Sequence, residues 1–378
     1  MVPELGPSRP FVDPGGLLAF WQENYLQDYL PAGGSAVKWL KGREGSGKTA
    51  LLGQLRRAAR GSGYLVAAIS ARDVQIGRMD EVYRRIVPQI PAQHLGKILA
   101  RGASDRLGVT LDLDRPDASL ERTFQEQGRP VAAAQSDLMR AFDFLYAERN
   151  IAPPVASALR RIAEPHVQPS AASEEATKTA LAWLQGERVL ATARRRAGIG
   201  MALDRFRVRD VLRSLLFAIQ LCGGAGLVLT VDDLDALIST GEGVKYTRLR
   251  REDAYEGIRE LIDDGARMPG LMAVYAGRPE VFLDERAGLR SYAALAMRVE
   301  NEVQTGRPNL FNDVQDLDEL WQTDWPQHRL DLARAYGTSA GAVQDVEARA
   351  FPTSGAVSPV KRLVEAWTSG SGGDALAN

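Results

Sequence analysis

Four short apolar runs, set among longer helix-patterned segments, predict a layered α/β chain. Residues 36–41, 64–69, 227–231 and 271–276 are rich in Val, Leu, Ile and Ala and are bounded by Gly, Pro or polar residues. That pattern predicts strands buried on both faces of a parallel sheet. A Gly-rich octapeptide follows the first run and leads into a helical pattern through about Arg60. Gly61, Ser62 and Gly63 end that helix before the second run. Strand, Gly loop, helix and strand in this order open an α/β domain. Upstream, Asp13-Pro14 reads as an N-cap with Pro at the first helical position. Leu17, Leu18, Trp21, Tyr25 and Leu26 then recur at helical spacing, so 15–29 predicts an amphipathic helix.

From Asp80 the pattern turns helical for a long way. Val82, Ile86 and Ile90 fall on one helix face, whereas Gly, Asp and Pro make 102–117 a predicted loop. Residues 130–149, 153–163 and 173–185 predict three further helices, the last capped by Ser173 with Glu174 and Glu175 at its positive end. Residues 214–231 carry no charge over eighteen positions, but Gly223, Gly224 and Gly226 interrupt them and Asp232-Asp233 close them. A helix over 210–221, a Gly turn and a strand fit better than a membrane span. From about Asn301 the chain reads as helical, ending in a Gly/Ser tail. The expected organisation is an N-terminal helix (1–33), a core in two parts (34–90 and 208–300) around a helical insertion (91–207), a helical C-terminal lid (301–368) and a disordered tail (369–378).

Composition narrows the class. The 378 residues carry 47 Lys and Arg against 48 Asp and Glu, a net charge of −1, and 45% are hydrophobic. A sizeable core is possible and an obligate polybasic nucleic-acid binder is excluded, though not a local basic patch. Only seven basic residues are Lys, a skew that fits GC-rich codon usage and makes each Lys worth inspecting. Cys222 is the single cysteine, so neither an intramolecular disulfide framework nor a cysteine zinc site is available, and its apolar surroundings predict a buried, inert thiol. His94, His166 and His328 have no metal-ligand spacing. The N-terminus lacks the basic-then-apolar order of a signal peptide, so a cytoplasmic protein without membrane attachment is expected.

The octapeptide carries the strongest chemistry. Gly42, Arg43, Glu44, Gly45, Ser46, Gly47, Lys48 and Thr49 match G-x-x-x-x-G-K-T in full, between a predicted strand and a predicted helix. Backbone N–H groups of such a loop cradle phosphates, Lys48 reaches the β/γ oxygens of ATP, and the Thr49 hydroxyl helps hold Mg²⁺. A second Mg²⁺ partner is needed at the tip of a neighbouring strand, and Asp232 after 227–231 fits as a Walker-B aspartate. Asp233 stands where hydrolysing ATPases usually carry Glu, the group that polarises the attacking water. Its shorter side chain predicts slow turnover or a differently held water. Arg278, after the fourth strand, is either a sensor near the γ-phosphate or a plain surface residue. Arg298 is either a finger on a neighbouring subunit's nucleotide or an ordinary salt-bridged Arg. Lys361 and Arg362, at a helix start, are candidates for a second sensor on the lid. Between 188 and 213 eight Arg face only Asp204 and Asp210, which suits DNA or RNA contact or a solvated, partner-binding face equally.

Several segments are more specific than the loop. Lys38-Trp39-Leu40-Lys41-Gly42, Ala182-Trp183-Leu184-Gln185-Gly186-Glu187, 226–235, 254–264, Tyr275-Ala276-Gly277-Arg278-Pro279-Glu280, 284–292 and Ser358-Pro359 together resemble the ATP-binding proteins of bacteriophage-exclusion (BREX) systems, the BrxC/BrxD type. The resemblance runs from about residue 34 to 365. It implies an AAA+-like (ASCE-type) P-loop NTPase in an anti-phage defence operon, often encoded beside a helicase. It carries Gly42, Gly47, Lys48, Thr49 and Asp232 onto nucleotide and Mg²⁺ binding. Asp233 departs from the commoner Asp-Glu ending, and Arg278 from a small polar residue. Expected partners are ATP, further copies of the chain or defence-system proteins such as a helicase, and DNA through 188–213. Two functions compete: an ATPase driving a protein–DNA assembly, and a nucleotide-gated scaffold with little turnover. A small-molecule P-loop kinase is a weaker third.

Overall fold

The computed structural model describes residues 10–374 apart from 116–117, 240, 242, 300–307 and 338–354. Strands β1 (Ala36–Lys41), β2 (Leu65–Ser70), β3 (Leu227–Asp232) and β4 (Leu271–Gly277) form within a residue of the predicted runs. With β5 (Val314–Asp316) they make one parallel sheet in the order β2-β3-β4-β1-β5. β5 lies in a region expected to be helical. It is three residues long, too short for periodicity to register, and exists because the edge of β1 at Trp39–Lys41 pairs with it.

Alternation along the strands sends side chains into two buried layers. Ala36, Leu40, Val66, Val228, Met272 and Val274 pack on one face with α1 (Leu17–Trp21), a wider π-helical continuation (Gln22–Tyr29) and α2 (Lys48–Gly61). Trp39, Leu65, Ala67, Leu229, Ala273 and Tyr275 pack on the other face. There lie α3 (Met79–Ile86), α4 (Ala92–Arg106), the short α5 (Leu120–Glu126), α6 (Val131–Arg140), α7 (Asp143–Ala147), α8 (Pro153–Val167), α9 (Glu174–Leu184) and α10 (Ala191–Arg196). α11 (Val208–Leu221) then leads into the Gly turn and β3. α12 (Arg248–Asp263), α13 (Pro279–Leu283) and α14 (Ala293–Val299) flank β4. α15 (Leu317–Thr323), α16 (Trp325–Ala335) and α17 (Pro359–Asp374) complete the chain on the α2 side. α17 continues past Ser369, and residues 301–307 and 338–354 of the expected lid lie outside the described residues. Among the described residues, no helix is long and apolar enough to cross a membrane.

Boundary differences have local causes. The first helix starts at Leu17 because Gly15 and Gly16 take positive φ, yet the Asp13 carboxylate still accepts from the N–H groups of Leu18 (2.9 Å) and Ala19 (3.0 Å). The predicted 130–149 helix breaks at Ala141 and Phe142, both buried in the turn between α6 and α7. The predicted face of Val82, Ile86 and Ile90 is divided, because α3 ends at Ile86 and a short turn through Pro88 follows. α4 passes through Gly102 instead of ending there. Gly102 is a packing residue: a Cβ on it would lie 2.5 Å from the Cys222 sulfur. Cys222 is buried as expected, and that burial pushes its thiol up to about 12.

This contact generates a prediction. Gly102→Ala overpacks the α4–Cys222 junction, and chemical denaturation should show a loss of about 1–3 kcal/mol despite the better helix propensity of Ala. Unchanged or raised stability would show that Cys222 gives way freely.

Candidate functional site

The segment 42–49 leaves the carboxyl end of β1 and turns into α2. Gly42 donates its N–H to the Gly277 carbonyl (3.3 Å), and a Cβ there would lie 2.4 Å from Ser46 Oγ. Gly45 and Gly47 take φ of 74° and 97°, the left-handed region in which only glycine is relaxed. The bend is also held from the C-terminal part of the chain. Arg43 donates its N–H to Asp318 Oδ2 (2.7 Å), and Trp321 donates Nε1–H to the Ser46 carbonyl (2.8 Å). The Ser358 N–H reaches the Glu44 carbonyl (2.8 Å), and Lys361 pairs with the Glu44 carboxylate (2.6 Å). That pairing holds the Glu44 carboxyl below its ordinary range.

Lys48 folds back across the bend and donates from Nζ to the carbonyls of Gly42 (2.7 Å) and Arg43 (3.0 Å). Burial lowers its pKa, against the pull of Asp232, Asp235 and Asp318. Thr49 donates from Oγ1 to Asp232 Oδ2 at 2.7 Å. Burial raises the Asp232 carboxyl, while the bonds from Thr49 and from the Asp233 N–H (2.8 Å) oppose that shift.

Asp233 follows with φ of 58°, the one non-glycine residue at positive φ among the described residues. Its Oδ2 accepts from Ser70 Oγ (2.8 Å), and its Oδ1 faces Arg72 Nε (3.3 Å). Asp235 takes Nη2 of both Arg72 and Arg278, each at 3.1 Å. Because β4 lies between β1 and β3, Arg278 at its tip stands between the bend and this acidic group. The structure therefore brings Gly42–Thr49, Asp232, Asp233 and Arg278 to one end of the sheet. Arg298 is placed elsewhere, beside the first half of β1, where Asp263 binds its Nη2 at 2.9 Å.

Sequence reasoning missed Ser70, Arg72, Asp235, Asp318 and Trp321. Asp235 lies three residues after Asp232, and Ser70 closes a strand whose register sets it opposite Asp232. Asp318 and Trp321 carry no local signal, because strand order alone brings α15 to the bend. The basic run also changes character. Arg209 pairs with Glu260 and Asp264, and Arg213 with Asp210 and Asp264, so α12 and the residue after it neutralise part of what the local count left positive.

A family model described as "BREX system ATP-binding protein BrxC/D" matches residues 25–351. The chain belongs to that family. No curated protein and no solved structure matches it. Membership in the BrxC/D family implies ATP binding and a role in anti-phage defence, and the matched span contains the whole Gly42–Thr49 bend together with Asp232 and Arg278.

The buried Asp232 yields a pH prediction. A raised carboxyl pKa means that ionisation is disfavoured in the fold, so this group costs stability as pH rises from the unfolded value of 3.8 through the folded one. In thermal melts of the nucleotide-free protein, Asp232→Asn should gain Tm over wild type progressively with pH across that window. A pH-independent difference would show that burial does not govern this carboxyl.

Proposed function

We propose that this BrxC/D-family chain binds ATP with Mg²⁺ at residues 42–49 and hydrolyses it slowly, as an AAA+-like ATPase. The observation that carries the reading is the hydrogen bond from Thr49 to Asp232. It sets a Walker-A hydroxyl against a Walker-B carboxylate at the carboxyl ends of buried parallel strands, where α/β sheets take their ligands. These two oxygen donors suit Mg²⁺, which binds few protein oxygens and fills its octahedron with phosphate and water. When bound, the ion neutralises charge on the β- and γ-phosphates. Lys48 is available to move from the Gly42 and Arg43 carbonyls onto phosphate oxygens, and the N–H groups at the start of α2 add to the anion site.

The base has a place to go. A cavity of about 220 Å³ beside Gly45–Gly47 is lined by Phe11, Val12, Tyr336, Val360 and Val364. Its apolar walls suit a purine face, with α17 acting as the lid and Lys361 as the residue that senses the loop. Asp233 orients the attacking water, and Arg278 stabilises charge on the transferred phosphoryl group once it leaves Asp235. Arg298 would reach only a neighbouring subunit's nucleotide, after release from Asp263. The scaffold reading keeps one specific support: Ser70 and Arg72 occupy the Asp233 carboxylate, which would hold turnover low.

Contact with DNA, if it is the assembly's substrate, narrows to Arg188, Arg194, Arg195 and Arg205, which meet no carboxylate among the described residues. Arg205 also lies over the exposed Phe206 ring. Copies of the chain or a helicase remain the expected protein partners.

Two experiments test these roles. Lys48→Ala should weaken ATP binding at least about tenfold and abolish phosphate release, whereas Asp233→Ala should keep binding and lower release by roughly 10²–10⁴-fold. Unchanged binding and release in Lys48→Ala would sink both readings, and wild-type release too slow to measure would leave the scaffold. For DNA, replacing Arg194 and Arg195 by Gln should reduce the slope of log affinity against log salt by about 2, and an unchanged slope would remove that surface.

A further inference from the structure

β5 covers only part of β1. Its pairing spans Trp39–Lys41, and the last backbone contact upstream is the Trp39 N–H to the Asp313 carbonyl at 2.7 Å. Backbone groups alternate sides along a strand, so the N–H and C=O of Val37 point the same way as those of Trp39, past the end of β5. The other side is consistently occupied: β4 pairs with β1 throughout, and the Gly270 N–H reaches the Gly34 carbonyl at 2.8 Å. No described strand covers Val37 on its outer side. Edges of this kind are templates for an added strand.

The edge forms the floor of a groove. A cavity of about 540 Å³ lies over residues 35–39, with Tyr25, Tyr29, Arg298, Phe311 and Asp313 among its walls. Tyr29 and Phe311 are 48% and 61% exposed and stand on the same groove. The cations of the groove are already used. Lys38 is buried, and its Nζ bonds Asp313 Oδ1 (2.7 Å) and the carbonyls of Phe311 (2.8 Å) and Asn312 (3.2 Å), below the Tyr25 ring. Arg298 is held by Asp263. The exposed Asp28 carboxylate in the same wall meets no cation among the described residues. Among the described residues, the groove has no strand along Val37, no apolar cover for two rings and no cation for Asp28.

We propose that this groove docks an extended segment of another protein, pairing its backbone along Val37 and placing a Lys or Arg between Asp28 and the exposed aromatic faces. Backbone pairing gives affinity, and alternate side chains give specificity. A cation over an aromatic ring beside a carboxylate is bound by both. The inference does not rest on ATP binding, because neither the 42–49 bend nor Asp232 belongs to the groove; Arg298 is the one residue that both readings use.

A displayed library of random peptides of about eight residues, selected on the whole protein, tests it. Enrichment of sequences that alternate apolar residues with a Lys or Arg is expected. A recovered peptide should lose at least about tenfold in affinity on Asp28→Lys and on Phe311→Ser, and should slow hydrogen exchange at the Val37 amide. Both positions are exposed, and matching melting curves with wild type will show that the variants fold. No enrichment, enrichment of acidic sequences, or affinity untouched by Asp28→Lys would overturn the proposal. Self-association in sedimentation that Asp28→Lys abolishes would overturn it as well, by assigning the groove to a second copy of the chain.

Discussion

The hydrogen bond between Thr49 and Asp232 joins residues 183 positions apart, and it exists only because β1, β4 and β3 run parallel and in register. Parallel pairing puts all carboxyl ends on one side. The bend after β1, the acidic pair at the end of β3 and Arg278 after β4 therefore emerge together. β4 is buried along its whole length, so a slip in its pairing would displace apolar side chains from both core layers. Packing of the sheet is thus what fixes the spacing of the polar groups.

That arrangement leaves charge in an uncomfortable place. Burial moves the Lys48 and Asp232 pKa values in opposite directions, each toward its neutral form. Lys48 is satisfied by two carbonyls of its own bend and Asp232 by the Thr49 hydroxyl, so each has a local substitute partner. Asp233 tells a related story. Its left-handed backbone is tolerated because Asp carries a short polar side chain, and the carboxylate is held by the end of β2.

The C-terminal elements are part of this site and not an appendage. Asp318 and Trp321 on α15 hold two successive parts of the bend, while Ser358 and Lys361 grip Glu44 beside α17. Movement of α17 would pass directly into the Glu44–Gly45 peptide, because Lys361 Cβ lies only 2.3 Å from where a Cβ on Gly45 would be. One ion pair and tight packing thus tie α17 to the 42–49 bend.

The sequence by itself determined four of the five strands, the bend with its obligate glycines, the Asp232-Asp233 pair and the buried state of Cys222. Each of these depends on local periodicity or on a residue's own backbone freedom. It also carried the family, through segments such as 275–280 that lie well outside the bend. Tertiary structure decided the rest. Three-residue β5 has no pattern of its own and forms on the edge of β1. Gly102 reads as a helix stop until Cys222 is packed against it. Arg209 and Arg213 read as free charges until α12 brings Glu260 and leads on to Asp264. Arg278 came to the bend's end of the sheet, on Asp235, and Arg298 did not, although both are single Arg residues near element ends. Strand order separated them, and strand order is a property of non-local pairing that a local pattern does not contain.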